Sequence, residues 1–333
     1  MAWNIVNYNI FSKSGGPELY GTESVTFYFR NLLLNFNIWF VLALTVLPLA
    51  LVQDLFQWTP GRFLGLRTVA ITAPFYLWFG IFSLQPHKEE RFMYPAYPFL
   101  ALNAAMSAHM LLAVIGTSTP RSLMSKIPAK LRLLVVSTVF FYATVLSLAR
   151  IYGTYSAYSA PLSLYSPLGA GATNEEGIGN PGDFVCFGKE WYRFPSSYFL
   201  PRDMHAKFIR SEFRGLLPGE FSEAKIGFGF WSGTWLPPSG MNDRNEEDLG
   251  KYVDIRACDF LVDTQYPQRS GELPPAEPDY IADEENWEVV KCEAFLDAES
   301  THALARAIWV PDLPFVPERF RRKWGRHCLL KKR

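Results

Sequence analysis

Four long apolar stretches crowd into residues 31–150, and after them the pattern changes character. The stretches are Leu32–Val52, Thr68–Leu84, Met93–Ile115 and Leu133–Ala149. A helix needs about 20 apolar residues, with about 17 as a lower limit, to cross a hydrocarbon layer of roughly 30 Å. The first and third meet this comfortably, and the second and fourth meet it with little tilt. Four such segments so close together predict a membrane region rather than a water-soluble helical core. From residue 151 onward charged and apolar positions alternate in short blocks. Asp183–Gly188 (DFVCFG), Asp259–Asp263 (DFLVD) and Trp287–Cys292 (WEVVKC) read as short buried strands between Pro- and Gly-rich stretches. The predicted organisation is a loop over 1–30, about four spans over 31–150, and a soluble α/β domain over 151–333.

The third stretch is not a plain lipid-facing helix. It holds Pro95, Pro98, Asn103 and His109. Prolines in a spanning helix need neighbours to satisfy the freed carbonyls, so Asn103 and His109 are expected to face other helices and hydrogen-bond there. In the soluble half, 165–182 and 267–286 read as exposed loops and the basic end Arg319–Arg333 as a loose surface tail.

Charge gives the orientation. Residues 53–67, with Arg62 and Arg67 and a turn at Pro60–Gly61, lie on the same side as residues 117–132, which hold Arg121, Lys126, Lys130 and Arg132 and no acid. The positive-inside rule makes that side cytoplasmic. Residues 1–30, the run His87–Phe92 and the whole carboxy-terminal half then lie on the lumenal or exterior side. The net charge of zero argues against nucleic acid as a partner. Aromatic residues make up 16% of the chain, which suits membrane interfaces. The four cysteines, Cys186, Cys258, Cys292 and Cys328, form no C-x-x-C pair, so a zinc ribbon or thioredoxin-type site is not expected. In an oxidising lumen they could form one or two disulfides; buried free thiols are the other reading. The polar start has no signal peptide and reads as a loop that follows earlier spans, which suggests a partial sequence.

Candidate chemistry concentrates between spans two and three, in Gln85-Pro-His-Lys-Glu-Glu-Arg-Phe92. With Pro86 in a first helical turn, the run would open span three. His87, Lys88 and Arg91 would then share one helix face, and the helix start would add free N–H groups and a positive dipole end. Such a place suits a phosphate at the membrane surface. Charged residues that merely anchor a span to the interface are the plainer reading of the same run.

This run resembles the signature of the family-22 glycosyltransferases, endoplasmic-reticulum mannosyltransferases that use dolichyl-phosphate mannose. Tyr20–Glu23 with Asn35-Phe-Asn37, Gly188–Ser197, Ser211–Gly215, Met241–Asp243 and Phe295–Ala298 are similar to members that form α-1,2 linkages. The resemblance covers nearly the whole chain and the later part of the family's proteins. It implies a multi-spanning fold of the GT-C kind, present in part, and transfer of mannose to a dolichol-linked oligosaccharide with inversion of configuration, for N-glycosylation. It implies no cofactor and no metal, membrane lipid and the dolichol-linked donor and acceptor as partners, and residence in the endoplasmic-reticulum membrane. Inversion needs a carboxylate base for the acceptor hydroxyl, which in this fold lies in a first lumenal loop without a counterpart here. His87, Lys88 and Arg91 are expected to hold the donor phosphate, with Glu89 and Glu90 in support. Glu23, Lys189, Glu190, Trp191 and Arg193 are candidate acceptor contacts; packing of the tail is the competing role for the last four. The alternatives are a sister enzyme of another linkage or of glycosylphosphatidylinositol anchors, a transporter fragment, and a non-catalytic fragment.

Overall fold

The computed structural model describes residues 21–56, 63–118, 120, 122–169, 177–219, 222–224, 233–236, 238, 240–242 and 244–333. The chain divides at Ile151/Tyr152 into two compact units.

Among the described residues four helices are long and apolar enough to cross a membrane: Ile38–Phe56, Leu66–Leu84, Glu90–Gly116 and Ala129–Tyr158, the last running on past the division between the units. The chain is a polytopic helical membrane protein. We name Phe27–Phe36 α1, Ile38–Phe56 α2, Leu66–Leu84 α3, Tyr97–Gly116 α4 and Ala129–Tyr158 α5. The first span starts six residues later than hydropathy places it, because Asn37 divides the apolar stretch. Asn37 takes a left-handed conformation at φ 44°, which asparagine tolerates better than most residues. Its Oδ1 accepts from the Ile38 amide at 2.6 Å, and its Nδ2 donates to Ser147 Oγ at 2.9 Å on α5. The fourth helix extends nine residues beyond the predicted end.

Span three is composite. A 3-10 turn, Glu90–Ala96, contains Pro95, and α4 begins at Tyr97 with Pro98 in its first turn, where its missing N–H costs nothing. Asn103 is fully buried and donates to Thr72 O of α3 at 3.3 Å, as a helix-facing asparagine should. His109 does not face another helix. It is exposed and meets the ring of Phe63, in the connection before α3, because it lies near the helix end that this connection covers. Ser107, which hydropathy passes over, makes a further bond from α4 to another helix, 2.6 Å to Leu42 O of α2. Ala43 and Ala104 are buried in the same region, and small residues of this kind let helix backbones approach. The predicted turn at Pro60–Gly61, Arg62 and Arg121 lie outside the described residues.

The second unit is built on a five-stranded mixed sheet: β1 Phe184–Phe187, β2 His205–Phe208, β5 Phe260–Gln265, β6 Trp287–Leu296 and β7 Trp324–Lys332, in the order β2-β1-β5-β7-β6. β1 runs parallel to β2 and β5, and β7 antiparallel to β5 and β6. A separate antiparallel pair joins β3 Ser222–Ala224 to β4 Gly233–Leu236. All three predicted strands are present. The β1 and β5 runs are apolar at successive positions because both sheet faces are covered there, whereas β6 lies at the sheet edge and is largely part-exposed. Val185, Phe187, Phe260, Val262 and Leu329 enter one core, and Cys186, Leu261, Cys328 and Leu330 enter the other.

The basic carboxy-terminal end is not a loose tail. It forms β7, between β5 and β6, with Cys328, Leu329 and Leu330 fully buried. With His327 these make a four-residue core that flanking arginines and lysines mask in any local average. Tyr165 and Leu168, in a stretch that reads as exposed loop, are buried too. Both cysteine pairs are joined, Cys186–Cys258 and Cys292–Cys328, the second directly across the β6/β7 ladder. At the start of this unit Gly153 permits a close approach. A Cβ there would lie 2.6 Å from the Trp309 amide nitrogen, and Arg322 Nη1 donates to the Gly153 carbonyl at 3.0 Å and to Ser156 Oγ at 2.9 Å.

Candidate functional site

The charged run between α3 and the 3-10 turn is organised by one carboxylate. Glu89 accepts from His87 Nε2 at 3.0 Å and takes Arg91 in a fork, Nη2 to Oε1 at 2.9 Å and Nε to Oε2 at 2.6 Å. Burial alone would raise the Glu89 pKa. The hydrogen bonds from His87 and Arg91 outweigh it and hold the carboxyl below the ordinary range. His87 Nδ1 faces the Gly21 carbonyl at 2.9 Å. Both ring nitrogens therefore face oxygen acceptors. Arg91 keeps a side-chain exposure of 67%, so this guanidinium remains open to a ligand.

The helix-face geometry expected of His87, Lys88 and Arg91 does not hold. Residues 85–89 are extended or bent, and helical winding begins at Glu90, with Glu89 as the preceding cap residue. Lys88 turns inward instead. It is 6% exposed, and its ammonium donates to the carbonyls of Glu23 at 2.9 Å and Gln85 at 2.5 Å. With the Glu23 amide donating to Pro86 O at 3.0 Å, this ties residues 21–23 to the run. The Tyr28 hydroxyl donates to Glu89 O at 3.0 Å, and Trp78 Nε1 donates to Phe92 O at 2.8 Å. Glu23 itself is exposed, and Tyr20 lies outside the described residues.

Sequence reasoning did not single out the polar chain beside this run. Glu90, also exposed, accepts from Asn35 Nδ2 at 3.1 Å, and Asn35 Oδ1 accepts from Arg150 Nε at 3.0 Å. Residues 115 apart in sequence, on α1 and α5, thus meet the same motif. The group sets Lys88, Arg91 and Arg150 against Glu23, Glu89 and Glu90, with the Arg91 guanidinium exposed. It can hold an anion, but among the described residues it offers no cluster of three or more His, Cys, Asp or Glu suited to a metal.

In the second unit the stretch Gly188–Ser197 follows β1. Lys189 pairs with the buried Asp263 at 2.8 Å. Glu190 is 1% exposed; both its oxygens accept from Arg193 Nη1, at 2.7 and 2.6 Å, and Oε2 lies 3.5 Å from His327 Nδ1. Burial raises the Asp263 pKa to about 6 against the pull of Lys189, and burial lowers that of His327 to about 4. Trp191 packs on Phe213, ring centroids 4.5 Å apart, at the edge of the first core. Lys189, Glu190 and Trp191 thus serve packing and internal pairing, while Arg193 also reaches a cavity wall.

The family model described as the Alg9-like mannosyltransferase family matches residues 1–201, which include the whole charged run. The chain belongs to this family. It is 39% identical over its full length to the α-1,2-mannosyltransferase alg9 of Schizosaccharomyces pombe, covering 55% of that protein. It is 40% identical to the α-1,2-mannosyltransferase ALG9 of Mus musculus, over 93% of this chain and 49% of the relative. With ALG9 of Saccharomyces cerevisiae the identity is 35%, over 94% of this chain and 51% of the relative. The chain spans about half the length of the curated relatives it matches. No solved structure matches. Within this Alg9-like chain the run His87–Phe92 is a folded cluster whose parts differ in role: His87 and Arg91 are aligned by Glu89, Lys88 braces the backbone, and Glu90 connects to Asn35 and Arg150. The trace Arg150 leaves in the sequence is a lone cation at the end of an apolar stretch. Its pairing through Asn35 needs the fold.

Proposed function

We propose that the chain forms part of an α-1,2-mannosyltransferase that moves mannose from dolichyl-phosphate mannose to a dolichol-linked oligosaccharide. The observation that carries this reading is the Glu89-aligned pair of His87 and Arg91 in a chain of this family. The donor's leaving group is a phosphate. As the bond from the sugar to phosphate breaks, negative charge grows on the phosphate oxygens. A guanidinium held in a fixed orientation, with an aligned imidazole beside it, stabilises that charge without reorganising. The acceptor hydroxyl loses its proton to a carboxylate base, a role assigned here to no residue of this chain. Lys88 acts as a brace rather than a donor contact, because both carbonyls it holds belong to the loops that frame the run. Glu90, Asn35 and Arg150 extend the anion-holding surface.

A lumenal position in the endoplasmic-reticulum membrane for the run and the second unit is part of the same proposal. The two disulfides support it, since such bonds persist in oxidising compartments. The basic, acid-free connection 117–132 on the opposite side supports it as well. The test is mannosyl transfer with purified protein and dolichyl-phosphate mannose. Arg91→Ala removes a charge-assisted contact of about 1.5–3 kcal/mol, so donor use should fall roughly 10- to 100-fold. Unchanged transfer at limiting donor refutes the assignment.

A further inference from the structure

The second unit contains a cavity of about 540 Å³, within the ~300–1,000 Å³ range of small-molecule sites. It is lined by Tyr192, Arg193, Tyr266, Arg269, Phe295 and Glu299 among others. Stretches far apart in sequence build it. Gly188–Ser197 supplies Tyr192 and Arg193, and Phe295–Ala298 supplies Phe295, so two of the sequence stretches that carry the family resemblance converge on one opening.

The wall alternates rings and guanidinium planes. The Arg193 guanidinium lies 4.7 Å from the ring centroids of both Tyr192 and Phe295, and that of Arg269 lies 4.1 Å from Tyr266. Each arginine is already neutralised. Glu190 takes Arg193 through both its oxygens. Asp297 accepts from Arg269 Nη2 at 2.7 Å and Nε at 3.1 Å, and Glu299 lies 2.9 Å from Arg269 Nη1. These pairs hold the side chains in place and cancel their charge, so the cavity is rich in donors, acceptors and flat apolar faces without an excess of positive charge. Burial raises the Tyr266 pKa to about 12, so this phenol keeps its proton and can donate. Tyr192 stays 59% exposed and Glu299 76%, which leaves a ring and the carboxylate oxygen of Glu299 not held by Arg269 exposed to a ligand.

A phosphate would find its cations spent. A neutral, hydroxyl-rich ring with one apolar face fits each element: stacking on the rings, hydrogen bonds from the guanidinium edges and phenols, and acceptance by Glu299. We propose that this cavity is a carbohydrate-binding subsite that takes a mannose-bearing segment of the acceptor oligosaccharide. The proposal rests on the mannosyltransferase reading for the identity of the sugar, and on the cavity alone for its being neutral carbohydrate.

The experiment is a binding titration of the full chain in detergent with a lipid-free, phosphate-free α-1,2-linked manno-oligosaccharide, read by saturation-transfer NMR. A parallel titration uses a short-chain polyprenyl phosphate. Tyr192→Ala removes one stacking face and should weaken oligosaccharide binding roughly three- to tenfold. Glu299→Gln should weaken it as well, and both variants should leave polyprenyl-phosphate binding unchanged. Both positions are exposed, so the variants fold. Saturable oligosaccharide binding lost in this pattern supports the subsite. Absence of saturable binding overturns it, and so does binding that neither variant alters or a loss of polyprenyl-phosphate binding in either one. If the oligosaccharide binds as described but the chain shows no affinity for polyprenyl phosphate, the mannosyltransferase reading fails while the subsite stands.

Discussion

Asp263 on β5 and His327 on β7 are buried on opposite faces of the same sheet, and their pH effects on its stability should oppose each other. His327 is fully buried, with Thr264 Oγ1 at 2.6 Å from its Nδ1 and Glu190 and Arg193 nearby. Burial lowers its pKa from 6.5 to about 4. The unfolded chain therefore takes up this proton first. The neutral ring favours the fold fully above pH 6.5, and that advantage is lost as pH falls from 6.5 through about 4. At about 1.4 kcal/mol per pH unit, the loss is on the order of 3 kcal/mol. Asp263 has the opposite sign. Burial raises its pKa from 3.8 to about 6 despite Lys189. The folded state holds this proton more tightly, so stability rises as pH falls from 6 to 3.8, again by about 3 kcal/mol. Together the two should leave the sheet's stability nearly level between pH 7 and 4. His327→Gln keeps a partner for Thr264 and leaves the Asp263 effect exposed, so the sheet should grow more stable on acidification. Asp263→Asn leaves the His327 effect, so the sheet should lose about 3 kcal/mol over the same range. The assay is amide protection of β5 and β7 at each pH, corrected for intrinsic exchange. Parallel profiles for wild type and both variants would refute the reasoning.

Three further outcomes follow from the packing. Glu89→Gln should weaken the alignment of both His87 and Arg91; because the Glu89 pKa is lowered, wild-type donor binding should hold above the ordinary carboxylate range and fail as pH drops below it, and the variant's donor titration should lack that acid limb. Cys186→Ser with Cys258→Ser removes a link spanning 72 residues and should destabilise the second unit by about 4 kcal/mol, read as a lower denaturant midpoint without added reductant. Gly153→Val should disturb the contacts of Trp309 and Arg322 and cost about 1–3 kcal/mol, seen as earlier proteolysis of the 303–322 segment, whereas Gly80→Ala, with open space around it, should cost nothing measurable.

The membrane region was legible in the sequence because crossing a bilayer demands length and apolarity, both one-dimensional properties. The buried strands β1 and β5 were legible for a similar reason: a strand covered on both faces tends to be apolar at successive positions. The charged run stood out by density alone. Its internal geometry did not, because whether Lys88 points outward or braces two carbonyls depends on residues 21–23, far away in the chain. Asn37 could end a helix early because Ser147 on another helix shares its cost. Lys189 and Glu190 look like surface charges until Asp263 and Arg193 are placed beside them. β7 hid behind its own cations, and only pairing with β5 and β6 shows that its centre is core. Local pattern thus determined where the chain meets lipid and where it buries strands. Partners brought together from distant positions decided which charges face a ligand and which hold the fold, because a charge is committed by what it pairs with, and pairing is set in three dimensions.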